Sequence, residues 1–319
     1  MYEDFSFLYL HGLKELSKTL SGDERIFMGT RPWGFHAGNI LTMVIYPYLL
    51  CEEVARRGLE PRFKVFVSLN DWEPHRLLYR DKGEHPYNFF PEGTSFQYTN
   101  DPKGCCSSIV EHYEDPITRA FDPLKDAHKL LEVNFRRVSD LKNEQVFQDI
   151  LRRCFEEKDA IGKQVESVTG EKISYDTLQW TGVICPSCNS ANGETAYDGS
   201  IRFTCHGCGE TYKGKLSDFD FWWYHLPMLI PRILYFRPDI IVRGGDHYDY
   251  KGLAMLYSLL EYFGHRDIRL KTLVSPKLLA LDGNKMSKSI GNQAEVNFQK
   301  LLSFAREFEG DVISLQELQ

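Results

Sequence analysis

Two polar segments far apart in the chain carry residue types suited to phosphate chemistry. Toward the C-terminal end, Asp282-Gly283-Asn284-Lys285-Met286-Ser287-Lys288-Ser289-Ile290-Gly291-Asn292 interleaves two lysines with two serines between glycines. Such a loop can fold over a polyphosphate. Lys285 and Lys288 would place charge where it accumulates on a departing pyrophosphate, while the serines and backbone amides supply donors. Lys285, Met286, Ser287 and Lys288 are therefore candidates for contact with a polyphosphate such as that of ATP. Near the other end, Pro32-Trp33-Gly34-Phe35-His36-Ala37-Gly38-Asn39 falls where a strand should turn into a helix. Gly38 allows adenine or phosphate to approach the backbone closely, and a helix N-terminus presents N–H groups to phosphate. His36 and Asn39 can donate to the α- and β-phosphates, which makes His36, Asn39, Lys285 and Lys288 the catalytic candidates. Gly34 and Gly244 join the expected ATP contacts. Taken singly, a Lys/Ser/Gly loop is ordinarily a solvated loop and a lone histidine ordinarily a cap.

A third constellation has metal-ligand spacing. Cys185-x-x-Cys188 is followed, after 16 residues, by Cys205-x-x-Cys208. Two thiolates from each tight turn make a closed tetrahedral site for Zn2+, structural because four sulfurs leave no open position. Cys51, Cys105, Cys106 and Cys154 lack such pairing and read as buried or incidental thiols.

The formal net charge of −7 excludes a dedicated nucleic-acid binder with an overall basic balance. Any RNA contact must come from local patches such as Arg56–Arg57 and Arg152–Arg153, which otherwise read as solvated helix faces. The N-terminus has no basic and apolar signal pattern, and no apolar run reaches the roughly 18 residues of a membrane span. A soluble cytoplasmic protein with reduced cysteines and no membrane contact is expected.

The elements that must position these residues alternate between strand and helix. Arg25–Gly29 reads as a buried strand, Arg31–Gly34 as a turn, and a helix starts near His36 and runs to Val54 with a kink or break at Pro47. Phe63–Leu69 has strand alternation, so strand, helix and strand form a right-handed βαβ unit. Residues 75–125 read as irregular. Residues 126–168 read as helical, with Leu131, Phe135, Val138 and Leu141 at helical spacing. Strands are expected at Asp239–Arg243 and Lys271–Val274, a helix from Lys251 to Phe263, a polar loop at Leu281–Gly291 and a last helix at 294–308. The expected divisions are 1–80 (first half of the catalytic domain), 81–180 (irregular and helical insertion), 181–213 (zinc-binding module) and 214–319 (second half).

Lys-Met-Ser-Lys-Ser is identical to the signature of class I aminoacyl-tRNA synthetases, and His36–Asn39 resembles their His-Ile-Gly-His element in its His-x-Gly-Asn form. The chain as a whole resembles the class I lysyl-tRNA synthetases over about residues 10–295. Asn70-Asp71-Trp72-Glu73-Pro74 is similar to that family's Asp-Asp-Tyr-Asp-Pro. Pro102–Ser108 is similar to its Pro-x-Gly-Cys-Cys-x-Ser, with Glu111 and His112 in place, and the cysteine pairs fall where the family has its own. Gly245-Asp246-His247 matches Gly-Lys-Asp-His in all but the lysine.

The resemblance implies an α/β fold, a Rossmann-like (HUP-type) parallel sheet with helices on both faces, plus an inserted zinc-knuckle module and a helical insertion. It implies that ATP with Mg2+ activates an amino acid, lysine or a relative, as its adenylate, and that the aminoacyl group passes to a tRNA acceptor end. Gly29, Asp71 and His247 would lie near the amino acid. A non-tRNA acceptor and a non-catalytic regulatory paralogue are the alternatives; His36, Lys285 and Lys288 count against the latter.

Three departures stand out. The family's Thr-Pro-Ser-Gly turn is here Arg31-Pro32-Trp33-Gly34. A guanidinium about 4 Å from a lysine ammonium costs about 4 kcal/mol at an effective dielectric near 20, so an inward Arg31 favours an acidic or neutral substrate. The aromatic tract Phe219–His225 also differs, bringing Trp222 into the expected amino-acid pocket or simply into the core. Finally, Ile290–Gln319 is too short for an independent domain, so anticodon reading is expected to be absent.

Overall fold

A computed structural model describes residues 8–74, 79–81, 89–91, 93–245, 250–280, 283, 297–308, 310–314 and 316. In chain order these form Leu8–Leu10 (β1), Leu13–Ser17 (α1), Arg25–Thr30 (β2), Ala37–Ile40 (α2), Tyr46–Arg56 (α3) and Lys64–Leu69 (β3). There follow Tyr79–Asp81 (β4), Phe89–Pro91 (β5), Ile109–Arg119 (α4), Asp122–Ala127 (α5), Glu132–Arg137 (β6), Gln145–Glu156 (α6) and Lys158–Thr169 (α7). Thr181–Val183 (β7), Gly193–Tyr197 (β8), Ile201–Cys205 (β9), Thr211–Gly214 (β10) and Phe221–Trp223 (β11) make the small antiparallel pieces. The chain closes with His225–Phe236 (α8), Ile240–Gly244 (β12), Tyr250–Tyr262 (α9), Lys271–Ser275 (β13), Lys277–Leu279 (β14), Phe298–Glu307 (α10) and Val312–Ser314 (β15).

The central sheet has the order β1-β13-β12-β2-β3-β6, with every pair parallel. Parallel strands need both faces covered, and strand alternation divides the side chains accordingly. Ile26, Met28, Val65, Val67, Ile240 and Val242 pack with α1, α3, α5 and α10 on one face. Phe27, Phe66 and Ile241 pack with α6, α7, α8 and α9 on the other. The doubly wound parallel sheet with helices on both faces is the architecture expected from the sequence. From β2 the chain winds outward through β3 to β6. It then crosses to the other side of β2 and winds outward through β12 to β13. The strand order therefore reverses between β2 and β12, where α/β sheets bind ligands beyond the carboxyl ends of their strands.

The helix expected from His36 to Val54 is present, and its disturbance lies just before Pro47. α2 passes through a π-helical segment, Leu41–Ile45, into α3, which carries Pro47 in its first turn. The wider turn accommodates a residue that has no N–H to donate and whose ring would crowd the preceding carbonyl.

Two expectations are corrected. Residues 132–137 form a strand, β6, paired along its length with β3. Leu131, Phe135 and Val138 sit at helical spacing, but Val133 and Phe135 also alternate with Asn134 and Arg136 and pack on one face. Pairing with the exposed edge of β3 decides between the two periods. Within residues 75–125, α4 and α5 are regular helices. Pro123 lies in the first turn of α5, where its missing N–H costs nothing, and Pro116 lies inside α4.

β8, β9 and β10 form an antiparallel sheet that carries the cysteine pairs, and β11 pairs with β7. No described helix is long and apolar enough to cross a membrane.

Candidate active site

The crevice at the switch point opens because the two central strands part. The β2–β12 ladder contains only Ile26 with Ile240 and Phe27 with Ile241. By contrast, β2 follows β3 to Thr30, and β12 follows β13 to Gly244. Beyond Phe27 the two strands no longer bridge, and Gly29 faces the opening.

Gly34 turns the chain out of β2 toward α2 with φ 72°, a left-handed conformation that an L-residue adopts only under strain. His36 is the N-cap of α2: its Nδ1 accepts from the Gly38 amide at 3.1 Å, and its own amide donates to Asn39 Oδ1 at 3.3 Å. These caps orient both side chains. With Nδ1 acting as acceptor, the ring proton belongs on Nε2, the donor form a phosphate requires. With Asn39 Oδ1 engaged, the carboxamide nitrogen is the donor side. Gly38 also leaves room for the cap: a Cβ there would lie 3.0 Å from His36 Cε1, so a side chain would press on the imidazole ring.

The same corner meets the strand that leads into the Lys/Ser loop. A Cβ on Gly38 would lie 4.0 Å from the Leu278 Cβ of β14, and Thr42 Oγ1 and Ser275 Oγ share a hydrogen bond of 2.7 Å. Past β14, the Gly283 amide donates to the Ala280 carbonyl at 3.0 Å. Lys285, Met286, Ser287 and Lys288 lie outside the described residues, as does His247. Gly244 ends β12 buried, beside Ser275 in the ladder.

On the α8 side of the sheet, the crevice is lined by charge. A Cβ on Gly29 would lie 2.9 Å from Arg232 Nη1 and 3.5 Å from Asn70 Oδ1, so glycine there makes room for a guanidinium. Arg232, 3% exposed, donates through Nε to the Met228 carbonyl at 3.1 Å and through Nη1 to Asn70 Oδ1. Its guanidinium lies 5.7 Å over the Phe27 ring. Arg31, a half-exposed side chain, folds onto Glu73, donating through Nε at 2.6 Å and pairing through Nη2 as well. Glu73 is buried. Burial alone would raise its carboxyl, but the charges of Arg31, His225 and Arg232 outweigh it and hold the group below the usual carboxylate range. Sequence reasoning placed Arg31 here but missed Glu73, Asn70 and Arg232. Glu73 and Asn70 were legible in the turn that flanks Asp71; a buried arginine inside an apolar helix was the remaining signal.

Asp71 stands elsewhere. It is fully buried, and its carboxylate accepts from the Ser139 amide at 3.0 Å and from the Ser139 hydroxyl. Burial pushes it up to about 6, with the Ser139 hydrogen bonds opposing. It caps the turn after β6 and does not face Gly29's opening. Trp222, 1% exposed, lies over Gly182 in the core. Its neighbours Phe221 and Trp223 pack their rings 5.7 and 6.5 Å from Trp72. The aromatic tract therefore supports the Asn70–Glu73 turn from behind.

Two clusters can hold metal ions. Cys185, Cys188, Cys205 and Cys208 bring their sulfurs within 4.8 Å of one another. The two knuckles are equivalent: the Asn189 amide returns to the Cys185 carbonyl and the Gly209 amide to that of Cys205, each at 2.9 Å. Both closing residues have positive φ, 58° and 78°. Asp101, Cys105, Cys106 and His112 form the second cluster, also within 4.8 Å. Cys105 Sγ lies 3.1 Å from His112 Nδ1 and 3.7 Å from Cys106 Sγ. Reading Cys105 and Cys106 as incidental thiols is corrected here: the adjacent cysteines meet a histidine on the first turn of α4. The Asp-x-x-x-Cys-Cys spacing with His112 was the available signal.

A parallel sheet with a capped helix at its switch point and a crevice opening beside it places the chain among the doubly wound α/β folds. The family model described as "tRNA synthetases class I (K)" matches residues 13–226, more than half of the chain, and the chain belongs to that family. It is similar to a lysine--tRNA ligase of Archaeoglobus fulgidus, 25% identical over 209 residues that cover 62% of this chain and 40% of that enzyme. A lysine--tRNA ligase of Methanosphaera stadtmanae is 24% identical over 289 residues, 87% of this chain and 51% of that one. The chain thus spans about half or less of these relatives' length. Among solved structures, a Leishmania major tyrosyl-tRNA synthetase in complex with tyrosinol matches with a TM-score of 0.42. That match has 15% identity and covers 86% of this chain and 30% of that chain.

Proposed function

We propose that the chain is an ATP-dependent ligase that forms an aminoacyl-adenylate in the crevice between β2 and β12. A hydroxyl of the terminal ribose of a tRNA acceptor end then attacks the acyl carbonyl, the ester forms and AMP departs. The observation that carries this reading is the meeting of Leu278 with Gly38: the strand entering the Lys-Met-Ser-Lys-Ser loop abuts the helix that His36 caps. That contact supports a reading in which two segments about 250 positions apart serve one nucleotide. Lysine is the amino acid for which both relatives are named.

The amino-acid carboxylate oxygen attacks the α-phosphorus in line. A new P–O bond forms, the bond to the bridging oxygen breaks, and pyrophosphate departs. No covalent enzyme nucleophile is required, so catalysis rests on positioning and charge. His36 Nε2–H and the Asn39 amide donate to the phosphates, and Lys285 and Lys288 meet charge developing on the leaving group. Bound Mg2+ would supply charge neutralisation at the ATP phosphates.

The four cysteines fit Zn2+. Zinc–thiolate bonds of about 2.3 Å place tetrahedral sulfurs about 3.8 Å apart, and the closest pairs here stand at 3.5 and 3.6 Å. With four sulfurs the site is closed and structural. Its thiolates fit a reducing compartment such as the cytoplasm.

The test is amino-acid-dependent exchange of labelled pyrophosphate into ATP, run across the standard amino acids with and without tRNA. Exchange with one amino acid, lost in Lys285→Ala and Lys288→Ala, is expected. Exchange with none in either arm would overturn the reading. Charging of bulk tRNA then tests the acceptor.

A further inference from the structure

Building on the adenylate reading, we propose that Trp33 is a positioning residue for adenylation, fixing the turn that delivers His36 to the phosphates. The turn is stiff by sequence. Pro32 holds φ near the value that an inverse γ-turn needs, and the Trp33 amide donates back to the Arg31 carbonyl at 2.8 Å. Gly34 then takes φ 72°. Around these two bends every second side chain makes a tertiary contact. Arg31 donates through Nε to Glu73 at 2.6 Å. Trp33 sets its ring 6.0 Å from that of Phe96, and Phe35 sets its ring 6.1 Å from that of Phe121. His36 follows at once as the N-cap of α2.

Each contact lands on a fixed side chain: Glu73, Phe96 and Phe121 are at most 1% exposed. They come from three separate segments, and Trp33 occupies the middle seat. Phe96 is backed by Ile109 and Val110 of α4. Its amide donates to the Glu73 carbonyl at 3.2 Å, which joins the seats of Arg31 and Trp33 into one support. The Phe121 ring meets that of Phe135 in β6 edge-on at 5.2 Å. Arg31 and Trp33 are also the positions at which this turn departs from Thr-Pro-Ser-Gly, so these two seats are the chain's own. A donor already held in place needs no reordering as charge develops on the phosphates. A displacement of about 1 Å caused by a change remote from the chemistry can cost about 100-fold in rate. Loss of the Trp33 ring should therefore fall on kcat rather than on KM.

The experiment measures pyrophosphate exchange per active site for the full-length parent, Trp33→Ala and Trp33→Phe, with amide hydrogen exchange recorded on the same proteins. Trp33→Ala should lower kcat about 10- to 100-fold and leave both KM values within about 2-fold. Trp33→Phe keeps a ring against Phe96 and should recover most of the rate. The Gly38, Asn39 and Ile40 amides bond to His36; they should exchange faster in Trp33→Ala, while those of β3 keep their rates. Should Trp33→Ala fail to fold, Arg31→Gln replaces a half-exposed side chain and loosens the neighbouring seat. It should give the same loss confined to kcat, about 10-fold. An unchanged kcat, a raised KM at unchanged kcat, a Trp33→Phe rate as low as that of Trp33→Ala, or faster amide exchange throughout the chain would overturn the proposal. A parent that exchanges pyrophosphate with no amino acid sinks the adenylate reading instead. The amide rates then decide for Trp33: acceleration confined to residues 34–40 keeps its hold on the His36 turn, and unaltered rates sink it.

Discussion

Replacing Glu73 by glutamine should destabilise the protein far more than replacing its partner Arg31. Glu73 is 1% exposed and Arg232 is 3% exposed. Without the Glu73 charge, Arg232 keeps only neutral hydrogen-bond acceptors among the described residues and stays almost wholly buried. An uncompensated buried charge of this kind costs about 3–5 kcal/mol. The Arg31 side chain is 46% exposed, so it can rehydrate when Glu73 is lost. In Arg31→Gln, Glu73 retains Arg232 and His225, and the cost should be about 1 kcal/mol once solvent screening is allowed for. Denaturation at pH 7 should therefore show Glu73→Gln melting lower by about 5 °C or more, with Arg31→Gln within about 2 °C of the parent. Adding Arg232→Met to Glu73→Gln should recover most of the loss, because the stranded charge is removed. The pH sign follows from the direction of the shift. A carboxyl held below its unfolded value contributes stability above that value and loses it as pH falls through the folded one. The penalty of Glu73→Gln should therefore hold above about pH 4 and shrink as pH falls below it. Equal melting losses for the two single variants at pH 7 would refute the reasoning.

Asp71→Asn should behave in the opposite sense. Asp71 sits up at about 6 through burial, so the folded form holds a proton that the unfolded chain releases near pH 4. Wild-type stability is reduced as pH rises from about 4 to about 6, by about 3 kcal/mol. Asparagine can keep both Ser139 hydrogen bonds and should gain on the parent over that window; parallel pH–stability curves would contradict this. The two donor clusters predict two zinc equivalents per chain by elemental analysis. Cys188→Ser should remove one and His112→Ala the other, and a single equivalent sensitive to neither would refute the assignment. His36→Ala should lower the exchange rate about 100-fold, as loss of one preorganised phosphate donor does, with little change in amino-acid binding. Unaltered exchange would remove His36 from the phosphates.

Much of the positioning framework is readable from local pattern. β2, β3, β12 and β13 are buried on both faces, so their apolar runs are dense, and the helix through Pro47 shows a clear period. β6 was misread because an edge strand has one half-exposed face: its Val133 and Phe135 can be threaded by either period, and only β3 resolves the choice. Local geometry was legible where neighbouring residues act together, as in the His36–Asn39 cap and the two cysteine knuckles. It was illegible where residues distant in sequence meet. Arg232 lies 162 positions from Asn70 inside an apolar helix, and no spacing rule links it to Gly29. Asp71 and Glu73, two residues apart at one strand end, differ only in what each side chain finds when the chain folds. Ser139 claims the first and Arg31 the second.

The most direct test is the position of ATP in a crystal structure of its complex. The nucleotide should occupy the crevice between β2 and β12, its phosphates within hydrogen-bond distance of His36 and of Lys285 or Lys288. A triphosphate bound elsewhere, or bound in that crevice with neither lysine approaching it, would contradict the account.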